Sequence, residues 1–145
     1  MGIREAVGDL VAAFNRGSLD VPANFFTART TFTLNHRTYE SLLGGSADDP
    51  LIRLLTRGAA GYRTAAKALQ YALTSPTVAV ESLTDADPSG TQVATLRVEG
   101  RWRDSGEPFS GLATLRLGRT GSELTSVSVV CAEEYLARIA ASRLA

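Results

Sequence analysis

The second half of the sequence contains four consecutive segments with the composition of β-strands, joined by short turn sequences. These segments are residues 77–84, 91–103, 108–117 and 124–130. Strands that follow one another through short turns pair antiparallel, because parallel neighbours need a long crossover connection. The pattern therefore predicts a four-stranded antiparallel meander. Such a sheet is strongly twisted and must be covered on one face, which leaves the other face for a pocket or a partner.

The clearest of these strands is residues 91–103, where apolar and polar side chains alternate. Successive side chains of a strand point to opposite faces. One predicted face carries Ala94, Leu96, Val98 and Trp102, and the other carries Thr95, Arg97, Glu99 and Arg101. The Asp-Ser-Gly sequence at 104–106 then suits a short hairpin loop. The apolar face of this strand is predicted to face the core.

The first half of the chain supplies the helices that can cover this sheet. Apolar residues recur at helical spacing from Ile3 to Phe14, which predicts a first helix. Asp20 is a candidate N-cap and Pro22 suits an early helical position, so a short second helix is predicted after it. We also predict a closing helix that begins at Glu133 and Glu134, after the last strand.

Residues 30–39 are rich in β-branched and aromatic side chains and predict a further strand. On this strand Phe32, Leu34 and His36 would share one face. A longer helix is then predicted to open at Asp48-Asp49-Pro50 and to continue to Leu73. Gly58 falls on its apolar stripe, so either the helix breaks there or another backbone approaches it closely.

These elements predict an α+β fold in which residues 1–145 form one domain. Fifteen basic and fifteen acidic side chains cancel, so we expect no nucleic-acid partner and no membrane partner. Cys131 is the only cysteine, which excludes an internal disulfide. No export signal or long apolar run is present, so we expect a cytoplasmic protein. No phosphate loop or metal-ligand spacing occurs, and neither a cofactor nor a metal is predicted.

Three short segments carry a family resemblance. Residues 12–20 (AAFNRGSLD), followed by Phe25-Phe26, form one, and residues 96–100 (LRVEG) and 106–109 (GEPF) form the others. The first resembles the opening helices of the nuclear transport factor 2-like superfamily, which includes SnoaL-type polyketide cyclases, ketosteroid isomerase and limonene epoxide hydrolase. The others resemble the hairpin between two long strands of its sheet. The resemblance implies a strongly curved, cone-like antiparallel sheet covered by N-terminal helices, with the C-terminal helix as an extension.

The resemblance also implies a cavity inside the cone and commonly a homodimer through the open sheet face. In the cyclases an acidic residue sits on an inward position of the strand after that hairpin. Residues 109–117 of this chain contain no acid. This departure weighs against cyclase or isomerase chemistry of that kind. Candidate ligand-binding residues on the predicted inward faces are Phe14, Phe26, Phe32, Tyr62, Trp102 and Phe109.

Two ionisable residues are the candidates for catalysis, because proton transfer needs a positioned acid or base. His36 could face the cavity, although a lone histidine there is more often a core or rim residue. Glu99 is flanked by Arg97 and Arg101, which could hold its charge, although such a row is more often a solvated face or dimer contact. Separately, Arg53, Arg57 and Arg63 could clamp an anionic ligand or form a solvated helix face.

The sequence is therefore compatible with three functions. The first is a domain with a cavity that binds a small apolar molecule, probed by ligand-induced thermal stabilisation. The second is a cyclase, isomerase or epoxide hydrolase that uses the same cavity and needs a titrating group such as His36 or Glu99. The third is a protein-interaction module that docks a partner through the open sheet face.

Overall fold

A computed structural model of the chain describes residues 2–42, 49–121 and 123–144. The helices are α1 (Ile3–Asn15), α2 (Tyr39–Leu42), α3 (Pro50–Thr56), α4 (Gly58–Ala72) and α5 (Glu133–Leu144). The strands are β1 (Thr31–Leu34), β2 (Arg37–Thr38), β3 (Leu73–Leu83), β4 (Gln92–Trp102), β5 (Pro108–Thr120) and β6 (Glu123–Val130). The predicted α+β class and the C-terminal helix are confirmed.

The strands form one sheet in the order β2-β1-β6-β5-β4-β3. Strands β3 to β6 pair antiparallel in chain order, which confirms the predicted meander. The sheet as a whole is mixed, because β1 lies parallel to β6 with Phe32 opposite Val127. The predicted antiparallel arrangement therefore holds for β3 to β6, and β1 adds one parallel contact to it. A parallel neighbour is possible here because more than half of the chain, residues 35–122, lies between these two strands and serves as the crossover.

The helices cover one face of the sheet, which we call the inner face. The main core lies between α1 and this face, where Ile3 and Val7 pack with Phe32, Leu117 and Val127. On β4 the predicted apolar residues do face inward, as the full burial of Ala94 illustrates. The pairing of β3 with β4 shifts register twice, and the pairing of β5 with β6 shifts once. Such bulges increase the local twist of a sheet.

The predicted strand over residues 30–39 is instead a small hairpin. β1 ends at Leu34, and Asn35 and His36 form a turn with φ values of 47° and 70°. β2 then pairs antiparallel with β1. Asn is among the residues that tolerate the left-handed region, and Asn35 is held by hydrogen bonds of 2.8 Å in both directions with the backbone of Cys131. The turn places His36 on the surface, so its predicted position beside Phe32 and Leu34 is wrong.

The predicted short second helix is also absent from the described residues. Residues 23–26 form a turn and a bend. The Phe25 amide donates to the Pro22 carbonyl at 3.2 Å, and Asn24 has a φ of 62°, which a right-handed helix cannot include. The chain therefore presents Phe25 and Phe26 from a loop.

The predicted long helix is two helices, separated at Arg57. Asp49 caps α3 by accepting a hydrogen bond from the Leu51 amide at 2.9 Å, as its charge predicts, while Asp48 lies outside the described residues. The break occurs where Gly58 adopts a φ of 62°. Gly61 packs so closely that an added Cβ would lie 2.6 Å from the Phe32 ring. At Gly58 both alternatives left open are realised, because an added Cβ there would also lie 2.8 Å from the Thr27 carbonyl oxygen.

Because α3 is a separate helix, its leucines do not continue the apolar stripe of α4. Leu51, Leu54 and Leu55 are 71%, 70% and 53% exposed. The apolar stripe of the predicted single long helix therefore does not extend to them as a buried surface. None of the helices in the described ranges is long and apolar enough to cross a membrane.

Candidate ligand-binding cavity

An apolar cavity of about 220 Å³ lies between α1, α4 and the inner face of the sheet. The helices contribute Val7, Leu10, Val11, Phe14, Tyr62, Ala65, Ala66 and Leu69. The loop and α2 contribute Phe25, Phe26 and Tyr39. The strands contribute Phe32, Val78, Leu96, Val98, Ala113, Leu115, Leu117, Val127 and Val129. The lining is therefore built from nearly every element that faces the interior.

Four aromatic rings form a continuous wall of this cavity. Phe26 stacks on Tyr62 with ring centroids 5.6 Å apart, and it also lies 5.6 Å from Phe32. Phe32 in turn stacks on Tyr39 at 5.2 Å. Aromatic rings present large, rigid apolar surfaces. The wall can therefore hold a flat or compact apolar molecule with little loss of side-chain freedom.

Tyr39 and Tyr62 supply the only hydroxyl groups among the described residues that line the cavity. Burial raises the pKa of Tyr39 to about 12, and a nearby Cys131 thiol adds to the effect. Burial also raises the pKa of Tyr62, against a smaller opposing effect of Arg63. Both phenols are consequently neutral hydrogen-bonding groups across the physiological pH range.

The lining contains no carboxylate, imidazole, ammonium or guanidinium group from the described residues. The inward positions of β5, where the cyclases have an acid, are filled by Ala113, Leu115 and Leu117. General-base chemistry near neutral pH needs a group with a pKa in that range. The cavity can therefore bind and orient a molecule, but its own walls offer no proton acceptor of that kind.

No protein-family model matches the sequence, and no curated protein matches it. Solved structures do match the fold. TsrD from Streptomyces laurentii superposes with a TM-score of 0.66 at 14% identity, over 97% of this chain and 95% of TsrD. A proposed SnoaL-like polyketide cyclase from Jannaschia sp. CCS1 gives 0.65 at 12% identity, over 92% of this chain and 88% of its own. IdmH, a proposed polyketide cyclase from Streptomyces antibioticus, gives 0.63 at 14% identity, over 94% and 97%.

The chain has the nuclear transport factor 2-like fold. The family resemblance of the sequence is thereby confirmed at the level of architecture. Identities of this size establish the fold alone, so the chemistry of this nuclear transport factor 2-like chain has to be argued from its own residues.

Four of the six predicted ligand-binding residues lie together on the cavity wall. Phe14 reaches it from α1, Phe26 from the loop, Phe32 from β1 and Tyr62 from α4. Their role in binding stays a prediction. Tyr39 was not foreseen as a lining residue, because the continuous-strand interpretation put it on the opposite face from Phe32. The Asn35-His36 turn reverses that direction, and Asn35 is the only local signal that could have indicated it.

Trp102 and Phe109 lie elsewhere and do not line this cavity. Their rings are 4.9 Å apart in a second cluster with Ala72 and Leu73. Tyr135 of α5 meets the Phe109 ring edge-on at 4.9 Å. Arg138 of α5 lies 4.9 Å over the Trp102 ring, in a cation–π contact. The C-terminal helix thus covers this end of the sheet, and the placement of these two residues on the cavity wall is corrected.

The two predicted catalytic residues also lie outside the cavity. His36 is exposed at the β1–β2 turn. Glu99 is exposed on the outer face of the sheet, opposite Thr77 of β3 and Ser110 of β5. Neither is brought near the aromatic wall, so the geometric reason for assigning them a role in this cavity no longer holds. Their catalytic role itself stays an untested prediction.

Two of the three arginines predicted as an anion clamp, Arg57 and Arg63, are engaged at different places in the described structure. Arg57 Nε donates to a Glu40 carboxylate oxygen at 3.2 Å, and Arg63 Nε donates to the Leu19 carbonyl at 3.3 Å. Burial acts to raise the pKa of Glu40, but hydrogen bonds from its own amide, Arg57 and Thr56 outweigh it and lower that pKa. Glu40 is therefore a charged, paired residue that joins α2 to the α3–α4 junction.

A second cleft, of about 380 Å³, adjoins the cavity between α4, α5 and the β1–β2 hairpin. Tyr39 and Ala65 line both spaces and form the wall between them. Arg37 donates to both Glu133 carboxylate oxygens across the cleft, at 2.7 and 2.8 Å. Within the described ranges no group of three or more metal-ligating side chains occurs. The cleft is thus more polar than the cavity, but its charges are already paired.

Proposed function

We propose that this domain binds a small, largely apolar molecule in the cavity between α1, α4 and the sheet. The observation that carries the proposal is the lining itself, which is hydrocarbon except for the hydroxyls of Tyr39 and Tyr62. An apolar cavity of this kind excludes water readily and gains free energy when an apolar molecule replaces empty space. The likeness to proposed polyketide cyclases supports a pocket-forming role for the same fold.

Binding is favoured over catalysis because the cavity lacks an ionisable group suited to proton transfer. An enzyme of the cyclase or isomerase type would need a base on the wall, and Glu99 points away from it on the outer face. The tyrosines cannot replace it near neutral pH, since the pKa values of both are raised. We therefore assign the cavity a binding role, because no described lining residue could act as the acid or base of such an enzyme near neutral pH.

The experiment is a thermal-shift screen against uncharged ring compounds, steroids and polyketides, followed by calorimetry on the compounds that bind. A compound at about 100 times its Kd should stabilise the fold by roughly 2.7 kcal/mol. Ala113→Phe provides the test variant, because Ala113 lies on the inner face of β5 opposite Leu96. A cavity of about 150 Å³ accommodates one benzene, so the added ring should fill most of the space and weaken binding at least about tenfold.

Thr114→Phe is the matched control, since Thr114 is the next residue on β5 and faces the outer side of the sheet opposite Thr95. It should leave the affinity within about twofold of the wild type. Equal binding by both variants would place the ligand outside the cavity. Absence of any stabilising compound across the three classes would remove the proposal.

We also propose a homodimer through the outer face of the sheet. This face carries both signs of charge, with Glu99 and Arg101 exposed on β4, and Leu112 is 46% exposed at its centre. A two-fold axis would place the same patch on both copies and allow opposite charges to pair. Leu112→Asp should convert a dimer of twice the 15.4 kDa chain mass into a monomer in sedimentation equilibrium. Leu51→Asp, on exposed α3, should remain dimeric, and a monomeric wild type would contradict the proposal.

A further inference from the structure

We infer that the cavity selects an uncharged ring compound of roughly nine non-hydrogen atoms with one oxygen that accepts a hydrogen bond from the Tyr39 hydroxyl. This inference rests on the proposed binding function and specifies the chemical class of the ligand. It has three parts, which concern size, charge and the hydrogen bond.

The size follows from the volume of the cavity. A dry cavity of about 150 Å³ holds one benzene, with its six non-hydrogen atoms. In proportion, the 220 Å³ available here holds a substituted single ring. Pockets for drug-sized ligands are typically larger, at about 300–1,000 Å³. A four-ring steroid or polyketide skeleton is therefore too large for the cavity as the residues around it are packed.

The absence of charge follows from the described lining, which includes no cationic or anionic side chain. An unpaired charge in an apolar site loses its hydration without compensation. The charged groups that line the cleft across the Tyr39–Ala65 wall, Arg37 and Glu133, are already paired with each other. A carboxylate or ammonium ligand would therefore find no counter-charge in the cavity.

The hydrogen bond follows from the state of Tyr39. Its side chain is only 5% exposed, and no hydrogen bond joins its hydroxyl to another described residue. The hydroxyl oxygen is not itself enclosed by protein, so its partner is whatever polar group occupies the adjoining space, water or a ligand oxygen. Tyr39 lies on the wall of the cavity, stacked on Phe32, so a ligand oxygen there can replace water as the acceptor.

Four compounds test these parts by calorimetry on the whole chain. Acetophenone and α-methylstyrene share one shape and differ by an oxygen in place of a CH₂ group. Benzoate has a similar shape and carries a negative charge, and progesterone is a much larger uncharged ketone. Each is measured with the wild type, Tyr39→Phe and Tyr135→Phe. Tyr135 belongs to the second cluster, outside the cavity.

The change in the ratio of acetophenone to α-methylstyrene affinity from one variant to another isolates the hydrogen bond, because the hydration of the two free compounds is the same in both measurements. Tyr39→Phe should shift this ratio toward the hydrocarbon by about two- to tenfold, and Tyr135→Phe should leave it unchanged. Benzoate should bind at least about thirtyfold more weakly than acetophenone, and progesterone should not bind. The bound carbonyl of carbon-13-labelled acetophenone should also resonate downfield of its position in cyclohexane.

An unchanged ratio in Tyr39→Phe, a carbonyl resonance at the cyclohexane position, or equal binding of benzoate or progesterone would overturn the inference and leave the proposed function standing. Failure of every compound, hydrocarbon included, would instead remove the proposed function. If Tyr39→Phe does not fold, the carbonyl resonance decides the hydrogen bond in the wild type alone.

Discussion

Phe32→Ala is expected to lower the free energy of unfolding by about 3–5 kcal/mol, the largest loss expected from any single substitution considered for this chain. Phe32 is 5% exposed and contacts the rings of both Phe26 and Tyr39. It also lies on β1 opposite Val127 of β6, so its side chain links the aromatic wall to the sheet. Truncation removes this contact area and joins the vacated volume to the cavity beside it.

Chemical denaturation measures this loss, with Phe32→Leu as the conservative partner. Leucine keeps most of the volume, and that variant should lose less than about 1.5 kcal/mol. An unchanged slope of unfolding free energy against denaturant would show that the folded state is intact. A loss below about 1 kcal/mol for the alanine variant would mean that the wall is not packed as described.

Gly61→Ala should lower the free energy of unfolding by about 1–3 kcal/mol, although alanine normally stabilises a helix interior. An added Cβ would lie 2.6 Å from the Phe32 ring and 2.6 Å from the Thr56 carbonyl oxygen. The ring is buried and the carbonyl belongs to the backbone, so neither can move without disturbing the core. Close packing of α4 on β1 therefore reverses the usual sign of the substitution.

Gly8→Ala is the matched control in α1, where no atom lies within 4 Å of an added Cβ. It should raise the free energy of unfolding by about 0.5–1 kcal/mol. In the Phe32→Leu background Gly61→Ala should be less destabilising, because residues in contact are energetically coupled. If Gly61→Ala and Gly8→Ala changed the free energy of unfolding in the same direction, the close contact between Gly61 and the Phe32 ring would be contradicted.

The parts of this fold that the sequence predicts well are those with local, repeated signals. The alternation over residues 91–103 predicts both β4 and its buried face, because a half-covered sheet imposes a period of two. The start of α3 is predicted equally well, since Asp49 caps the helix by accepting a hydrogen bond from the amide of Leu51, two residues later. These signals depend on neighbours in the chain alone.

The parts that it predicts poorly depend on distant contacts. The hydrophobic period of residues 51–73 is continuous, yet the helix breaks where Gly58 meets the Thr27 carbonyl. Trp102 does face inward, but whether that place is cavity or packed core depends on α5. Tyr39 joins the cavity only because two residues of turn intervene after Leu34. Periodicity contains no information about which element arrives to fill a given space.

The parallel contact between β1 and β6 has a consequence for how the chain reaches its native state during synthesis. The residues it joins, such as Phe32 and Val127, are separated by most of the sequence. Contacts of such long range form slowly, because closing the intervening loop costs conformational entropy before the strand pairing can stabilise the chain. While the ribosome is still making β6, β1 has no neighbour in the main sheet, and Phe32 cannot yet pack against Val127. Completion of the apolar cavity therefore awaits the emergence of β6, the last strand, and a nascent chain shorter than this exposes its aromatic residues to chaperones.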